Sequence, residues 1–517
     1  MAGKSGSAQP KRWKKITRRA FLVTGVTVVG GAAIGVGWLS RAGTGMPDDF
    51  ANGGPDGSVA LNAWIRIEPD GTIAVAVPRA EMGQGVTTAL PMLVAEELEV
   101  GLDRITVEHP DMHGVYTNYA LMLESAGLLD AEGNPLRWVV SKIAASIPYV
   151  GTGGSTSVID AWMPLRQAGA AARQMLIAAA AEQWDVDAAS CRVAEGDVVH
   201  PDGSTRLSYA ALAARAGEIA PPSEPAVKPA SAFKLIGTSQ PRLDIPAKVT
   251  GQADFGVDVR SDGMLYAAIK HCPVKGGRIV NYDAAAVRGM KGVVGVVEVD
   301  GGVAVVADNS WRAFKAAEAL PVQVEAPDAA ATSSPALAER LRAQLAQEPT
   351  HVFEDVGDVA AGFAEAAGWG RSMPAGRGLG IALHESFGSI VAQVAEVAVV
   401  DGELAVEKVW CAVDCGVVVN PDTVQAQMES GIIFGLSAAL YGEITLDQGR
   451  IEQENFPDYE MVTLATVPRI ETVMVPSGGR PGGVGEVALP PIAPAVANAL
   501  FAASGKRLRE LPLRLEG

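Results

Sequence analysis

The 517-residue chain reads as an α+β protein of more than one domain. Three stretches carry that reading. Leu61 to Val77 alternates about an Asp70-Gly71 pair, the pattern of a hairpin. Ala161 to Trp184 is Ala-rich, with Leu, Met and Ile at helical spacing. From Phe233 to Glu325, short strand-like runs surround one helical segment, as in an independent α+β module. Hydrophobic residues make up 48% and charged residues 20%, the balance of a packed protein rather than a disordered one. Aromatics are only 5% beside 58 Gly and 32 Pro, so the cores must be built from Ala, Val, Leu and Ile, with many turns and close backbone approaches.

Taken in order, the first element is an export signal. Residues 1–41 hold Lys4, Lys11, Arg12, Lys14, Lys15, Arg18, Arg19 and Arg41 and no acid, and an apolar, Gly-rich stretch runs from Ala20 to Leu39. The junction Thr17-Arg18-Arg19-Ala20-Phe21-Leu22 is a twin-arginine pattern. It predicts export by the twin-arginine route to the periplasm or the outer face of the inner membrane. A plain membrane anchor is the competing reading, which the glycines weaken. No Ala-x-Ala cleavage site follows, so residues 1–45 can stay attached as an anchor. Subtracting these eight positive charges from the chain's −17 leaves −25 on the remainder. A body that acidic repels phosphate backbones, which excludes nucleic-acid binding.

Residues 46–60 read as a linker, followed by the hairpin. Leu90 to Leu98 reads as a helix after the turn Gly83-Gln84-Gly85, and the long helix comes next. Residues 217–232 form a Pro/Ala linker. The module beyond it has strands at Leu265 to Ile269, Val293 to Val299 and Val303 to Val306, and a helix from Ser310 to Ala319. Residues 326–350 read as one Ala-rich helix, Gly376 to Val400 as further strands, and Asp422 to Tyr441 as a helix. A Gly/Pro loop, Pro476 to Pro494, leads into the helix Ala495 to Ser504.

Cys191, Cys272, Cys411 and Cys415 include no Cys-x-x-Cys pair, so the chain carries no iron–sulfur cluster and no covalent haem. Burial as small apolar residues is the favoured reading, and spacing leaves a Cys411–Cys415 bridge open. The six histidines show no metal-ligand spacing, and His384, after an apolar run, reads as a packing residue.

Three Gly-rich loops could carry chemistry. In Glu81-Met82-Gly83-Gln84-Gly85-Val86-Thr87-Thr88, between a strand and a helix, glycines let backbone N–H groups approach an anion, and Gln84 adds an amide. Gly151-Thr152-Gly153-Gly154-Ser155-Thr156-Ser157 precedes the long helix and adds hydroxyls. Gly478-Gly479-Arg480-Pro481-Gly482-Gly483-Val484-Gly485-Glu486 ends on a carboxylate. Each alone is an ordinary turn, and none matches a dinucleotide fingerprint or a P-loop.

With Asn420-Pro421-Asp422, and in this chain order, the loops resemble the second molybdenum-binding domain of xanthine dehydrogenase-type hydroxylases. Arg242-Leu243-Asp244-Ile245-Pro246-Ala247-Lys248-Val249-Thr250-Gly251 resembles that family's hammerhead domain. Its place after the Gln84 loop is the permuted order of the isoquinoline 1-oxidoreductase beta-subunit type, to which Gly378 to Phe387 also points. The resemblance implies a molybdenum–molybdopterin cofactor in its cytosine dinucleotide form. Met82, Gly83, Gln84 and Gly85 would contact the pterin, and Gly153, Gly154, Ser155 and Thr156 would cradle its phosphates or ring, with Gly485 beside them. Glu486 would be the general base. The metal would be held by the cofactor's dithiolene, with no protein ligand. The implied reaction is hydroxylation of N-heteroaromatics or aldehydes with water as oxygen source. Electrons would leave through a small iron–sulfur subunit, which carries [2Fe-2S] clusters, with a cytochrome as next acceptor.

The implied domains are the signal, 1–45; a second molybdenum-binding-like domain in two parts, 46–232 and 367–517; the hammerhead module, 233–325; and a junction, 326–366, where a first molybdenum-binding domain is mostly missing. After Asp358-Val359-Ala360-Ala361-Gly362-Phe363 the chain runs almost at once into Ala367-Gly368-Trp369-Gly370-Arg371-Ser372, and no Gly-Gly-Gly-Phe-Gly run occurs. Elements that packed against the missing block should expose apolar surface. Two readings follow: a cofactor-binding hydroxylase subunit, or a shortened, inactive relative acting at most in interaction or ligand binding.

Overall fold

The structure, a computed structural model, describes residues 46–128, 134–144, 148–274, 276–326, 333–337, 339, 370–475 and 477–515. The signal segment 1–45, most of the junction 326–366 and most of the helix expected over 326–350 lie outside these residues. The chain divides into two compact units. The first comprises Met1–Leu243, Cys415–Val424 and Pro476–Gly485, the second Asp244–Asp414, Gln425–Val475 and Glu486–Gly517.

The first unit begins with a four-stranded sheet of β1 (Val59–Asn62), β2 (Ile65–Ile67), β3 (Ile73–Ala76) and β4 (Ile105–Glu108). Ile65 pairs with Val75 and Ile67 with Ile73, so the hairpin turns at Asp70-Gly71 as its pattern predicts. β4 runs parallel to β3, which demands a crossover. Helix α1 (Val86–Leu98) supplies it, and all 13 of its residues are buried. Helix α2 (Ser157–Trp184) packs against α1. The two approach so closely that a Cβ at Gly169 would sit 2.8 Å from Glu97 Cβ, so that position accepts only glycine without a shift. A three-stranded sheet (Arg192–Ala194, Asp197–Val199, Arg206–Ser208) and a helix (Tyr209–Gly217) complete the unit; their short apolar runs left no signal strong enough to read in advance.

Two acids at the end of α1 hold this unit together. Glu97, fully buried, accepts from Arg166 Nε at 3.0 Å, Arg173 Nη1 at 2.8 Å and the Lys228 amide at 3.0 and 3.1 Å. Glu96 accepts from Lys228 Nζ at 2.5 Å and from the amides of Lys234, Leu235 and Ile236 at 2.7–3.1 Å. The Arg166 guanidinium lies over the rings of Trp162 and Phe233, 4.8 and 5.0 Å from their centroids. The stretch read as a Pro/Ala linker is therefore a strap tied down by buried carboxylates, and it stays with the first unit as far as Leu243.

The second unit holds a three-stranded antiparallel sheet of β5 (Tyr266–His271), β6 (Val293–Val299) and β7 (Gly302–Ala307), in the order β6-β7-β5. Helix α3 (Ser310–Ala319) covers one face, its Ala313, Ala316 and Ala317 packed on Ala268, Val303 and Val305. A second sheet joins β8 (Arg377–Ser386), β9 (Ser389–Val400) and β10 (Glu403–Asp414) antiparallel, with β11 (Arg469–Met474) parallel to β10. Helix α4 (Pro421–Leu440) begins in the first unit and continues in the second, and α5 (Ile492–Ser504) lies directly on β8. A Cβ at Gly378 or Gly380 would collide with the α5 backbone at Ala499 or Ala495, so these strand glycines let the helix down onto the sheet. Gln393, fully buried, ties β9 to the turn before α5 through Nε2 to the Ala488 carbonyl at 2.7 Å. Large apolar side chains stand exposed in this unit, Phe456 at 90% and Leu464 at 99% among them.

Both units mix helices and sheets. No disulfide joins Cys411 and Cys415; both side chains are buried, and burial pushes the Cys411 thiol up to about 12. His384, half-buried, contacts the Ser386 hydroxyl through Nε2 at 2.9 Å. Among the described residues no helix is long and apolar enough to cross a membrane.

Two expectations follow. Glu97→Ala should destabilise the protein by about 3–5 kcal/mol, because it leaves the buried Arg166 and the part-buried Arg173 without their anion; denaturant unfolding measures this. The Glu96 carboxyl is pushed up by burial, but Lys228 and the Leu235, Ile236 and Lys234 amides outweigh burial and hold it below its ordinary 4.5. A depressed carboxyl contributes fully above its unfolded value and loses the contribution as pH falls through the folded one. Hydrogen exchange of residues 228–236, corrected for intrinsic rates, should therefore rise below about pH 4.5.

Candidate functional site

The first Gly-rich loop is organised from within. Glu81 folds back so that Oε1 accepts from the Gly83 amide at 2.8 Å and the Gly85 amide at 2.9 Å. Its Oε2 accepts from the Thr87 amide at 3.1 Å and the Thr87 hydroxyl at 2.8 Å. Burial would raise this carboxyl, but those donors outweigh it and hold it below the ordinary range. Gly83 (φ +111°) and Gly85 (φ +82°) lie in the left-handed region, which lets the chain turn twice within three residues. Gln84 closes the loop: its Oε1 accepts from the Met82 amide at 2.6 Å and its Nε2 donates to the Ala80 carbonyl at 2.8 Å. Met82 is left 70% exposed at the tip. Arg242 clamps the loop from outside, donating to the Gly83 carbonyl at 2.5 Å and to Glu81 Oε1 at 3.2 Å.

This differs from the expectation that the loop's amides would meet an external anion. The Gly83, Gly85 and Thr87 amides are already taken by Glu81. What faces outward is Met82 and the open space at Gly83, where a Cβ would meet nothing within 4 Å.

The second loop is joined to the first by the Ala80 amide, which donates to Thr152 Oγ1 at 2.9 Å. Gly154 (φ +55°) and Ser155 (φ +51°) are both left-handed, so the chain doubles back just before α2. Thr156 is buried and structural: its hydroxyl donates to the Gly153 carbonyl at 2.8 Å and accepts from Asn118 Nδ2 at 2.9 Å. Asn118 also donates to the Gly151 carbonyl at 3.0 Å. Below the loop Arg79 and Asp160 form a buried pair, 2.7 Å from Nη2 to Oδ2, and Arg79 Nε is left without a partner. A cavity of about 430 Å³ lies here, lined by Pro78, Arg79, Glu81, His109, Val150 and Thr152 among others.

The third loop reaches the second through Gly485. The Gly485 amide donates to Ser155 Oγ at 3.0 Å, and a Cβ at Gly485 would sit 2.8 Å from the same oxygen. The start of α4 adds Thr423, whose side chain fills the space a Cβ at Gly85 would need. Its hydroxyl is buried without a hydrogen-bond partner. Met82, Gly83, Gln84, Gly85, Gly153, Gly154, Ser155, Thr156 and Gly485 thus gather in the first unit. Glu486 follows Gly485 in the chain but belongs to the second unit, and it is exposed.

The sequence names Glu81 within its loop and Arg242 within the hammerhead-like stretch but not what either does here, and it does not single out Asn118 or Thr423. An acid just ahead of a helix with glycines two and four residues on was a usable signal for Glu81. Arg242 and Asn118 act from remote segments and left no local signal. Among the described residues no group of three or more His, Cys, Asp or Glu could hold a metal ion.

A model of the molybdopterin cofactor-binding domain matches residues 13–120 and 315–468, just over half of the chain. The chain is 34% identical over 59% of its length to the beta chain of isoquinoline 1-oxidoreductase from Brevundimonas diminuta, covering 39% of that protein. It is 30% identical over 66% of its length to the membrane-bound aldehyde dehydrogenase (pyrroloquinoline-quinone) of Gluconacetobacter polyoxogenes, covering 42%. With a nicotinate dehydrogenase subunit from Pseudomonas putida it shares 28% identity over 51% of its length, covering 20%. The chain therefore spans about two fifths or less of these relatives' lengths. On these matches, the chain belongs to the molybdopterin-binding subunits of the xanthine dehydrogenase family.

Proposed function

We propose that this chain holds molybdopterin, in its cytosine dinucleotide form, within a molybdenum hydroxylase acting on N-heteroaromatics or aldehydes with water as oxygen source. One observation carries the reading: the Gln84, Ser155 and Gly485 loops, 330 residues apart at the extremes of one contact, are hydrogen-bonded into one cluster. The substrate class rests on the names of the relatives, which act on isoquinoline, nicotinate and aldehyde.

The cluster fits such a group. Space stands open at Gly83, and the buried Thr423 hydroxyl beside Gly85 lacks a partner. Gln84 uses one of its two amide hydrogens and one of its oxygen lone pairs within the loop, so a donor and an acceptor remain for a pterin edge. Gly153, Gly154 and Ser155 offer a turned backbone for the ring or phosphates. When bound, the cofactor supplies the two-electron redox chemistry and the Lewis-acid centre. Glu486 is the base: its carboxylate accepts the proton of the water-derived nucleophile as that oxygen attacks the electron-poor carbon. Glu486 is exposed here, so exclusion of water around it would come from the bound cofactor and from a further polypeptide standing where relatives carry their first molybdenum-binding domain.

Residues 233–325 correspond to the hammerhead module, electrons pass to a partner subunit's [2Fe-2S] clusters and on to a cytochrome, and the Arg18-Arg19 segment directs export to the periplasm, where residues 1–45 can serve as an anchor.

Protein purified gently from its native host should contain molybdenum and pterin near one per chain. A folded protein without either would leave ancestry but no hydroxylase. Glu486→Gln should keep the metal and lower hydroxylation by about 10²–10⁴-fold, measured with isoquinoline, nicotinate and aldehyde substrates in ¹⁸O-water. Replacing Arg18 and Arg19 by Lys should leave the precursor in the cytoplasm on fractionation.

A further inference from the structure

The Glu81 carboxylate collects five donor contacts: the Gly83, Gly85 and Thr87 amides, the Thr87 hydroxyl and Arg242 Nη2. Its side chain is only 8% exposed. Those amides lead into the first turn of α1, where a helix presents unpaired N–H groups and the positive end of its dipole. An anion placed there is stabilised whether it comes from a ligand or from the chain.

We infer that Glu81 is a built-in anion, a positioning residue that fixes the Gln84 loop by filling the donor set at the start of α1. The inference rests on the proposed cofactor reading for its functional consequence, though not for its geometry. Three features support it. The contacts span Gly83 to Thr87, so the carboxylate sets both left-handed glycines together. Arg242 bridges the carboxylate and the Gly83 carbonyl, holding charge and backbone with one guanidinium. Leu243 extends the clamp, its amide donating to Thr88 Oγ1 at 2.9 Å.

The consequence is selectivity within the loop. With three amides committed to Glu81, the Gln84 loop meets a cofactor through the Gln84 amide and its own carbonyls, which suits a neutral heterocyclic edge. A phosphate finds no such donor set here, because the Gly83, Gly85 and Thr87 amides are committed.

The test uses the full chain with acetate as probe, because Glu81→Ala vacates a space the size of that ion. Hydrogen exchange of a peptide covering 80–90 should speed up about tenfold or more in Glu81→Ala, since bonds to a charged acceptor are lost. Added acetate should return it toward the wild-type rate. Exchange unchanged in the variant, or raised and indifferent to acetate, overturns the inference. A purely structural loss of packing would not respond to acetate. Glu81→Gln keeps the volume without the charge; its exchange should rise and ignore acetate, and wild-type protection in this variant would also overturn the inference. If Glu81→Ala does not fold, the Gln variant decides alone. Molybdenum content is read separately on wild-type protein, so failure of the cofactor reading leaves the exchange result standing.

Discussion

Two carboxylates at the end of one buried helix are the constraint on which the first unit depends. Glu96 and Glu97 are buried and need hydrogen-bonding partners there, and the partners come from everywhere: Arg166 and Arg173 on the long helix, Lys228 and three successive amides on the strap. Satisfying them fixes where α2 lies and how the chain leaves the unit. The opposite end of α1 repeats the logic with Glu81. A helix closed at both ends by acids of its own segment becomes a fixed axle, and the Gln84 loop is the bearing at its tip.

The second unit solves a different problem with the same economy of side chains. Its sheets are covered by helices rich in alanine, and the strand glycines Gly378 and Gly380 remove the spacing that side chains would impose. That is the structural meaning of a composition poor in aromatics and rich in glycine. The core gains contact by approach of backbones rather than by interlocking large rings.

Much of this was legible in sequence. The hairpin about Asp70-Gly71, the long α2, the β6–β7 pair, α3 and the terminal helix follow from periodicity and turn residues, and the structure differs mainly at their ends. The three Gly-rich loops were legible as a set because their order matches a known family. The strap was not: Pro and Ala near Pro221 to Pro229 imply a loose linker, and the groups that tie it down, the buried acids 131 and 132 residues before Lys228 together with Arg166 and Arg173, lie far off in the chain. The role of Glu81 was hidden for the opposite reason, since a loop acid usually faces water. Its burial follows from two glycines whose conformations bring their amides to one point.

The contact between Ser155 and Gly485 joins residues 330 positions apart. The first unit is therefore assembled from pieces at the beginning and near the end of the chain, with the whole second unit's sequence mostly between them. Closing so long a loop is slow relative to forming local helices and hairpins. During synthesis the Gln84 and Ser155 turns emerge long before their third member, which follows Ser155 by 330 positions. Completion of the cluster thus marks that the whole stretch up to Gly485 has been made, and any machinery that loads or transports this protein by sensing that cluster would be reading translation as well as folding.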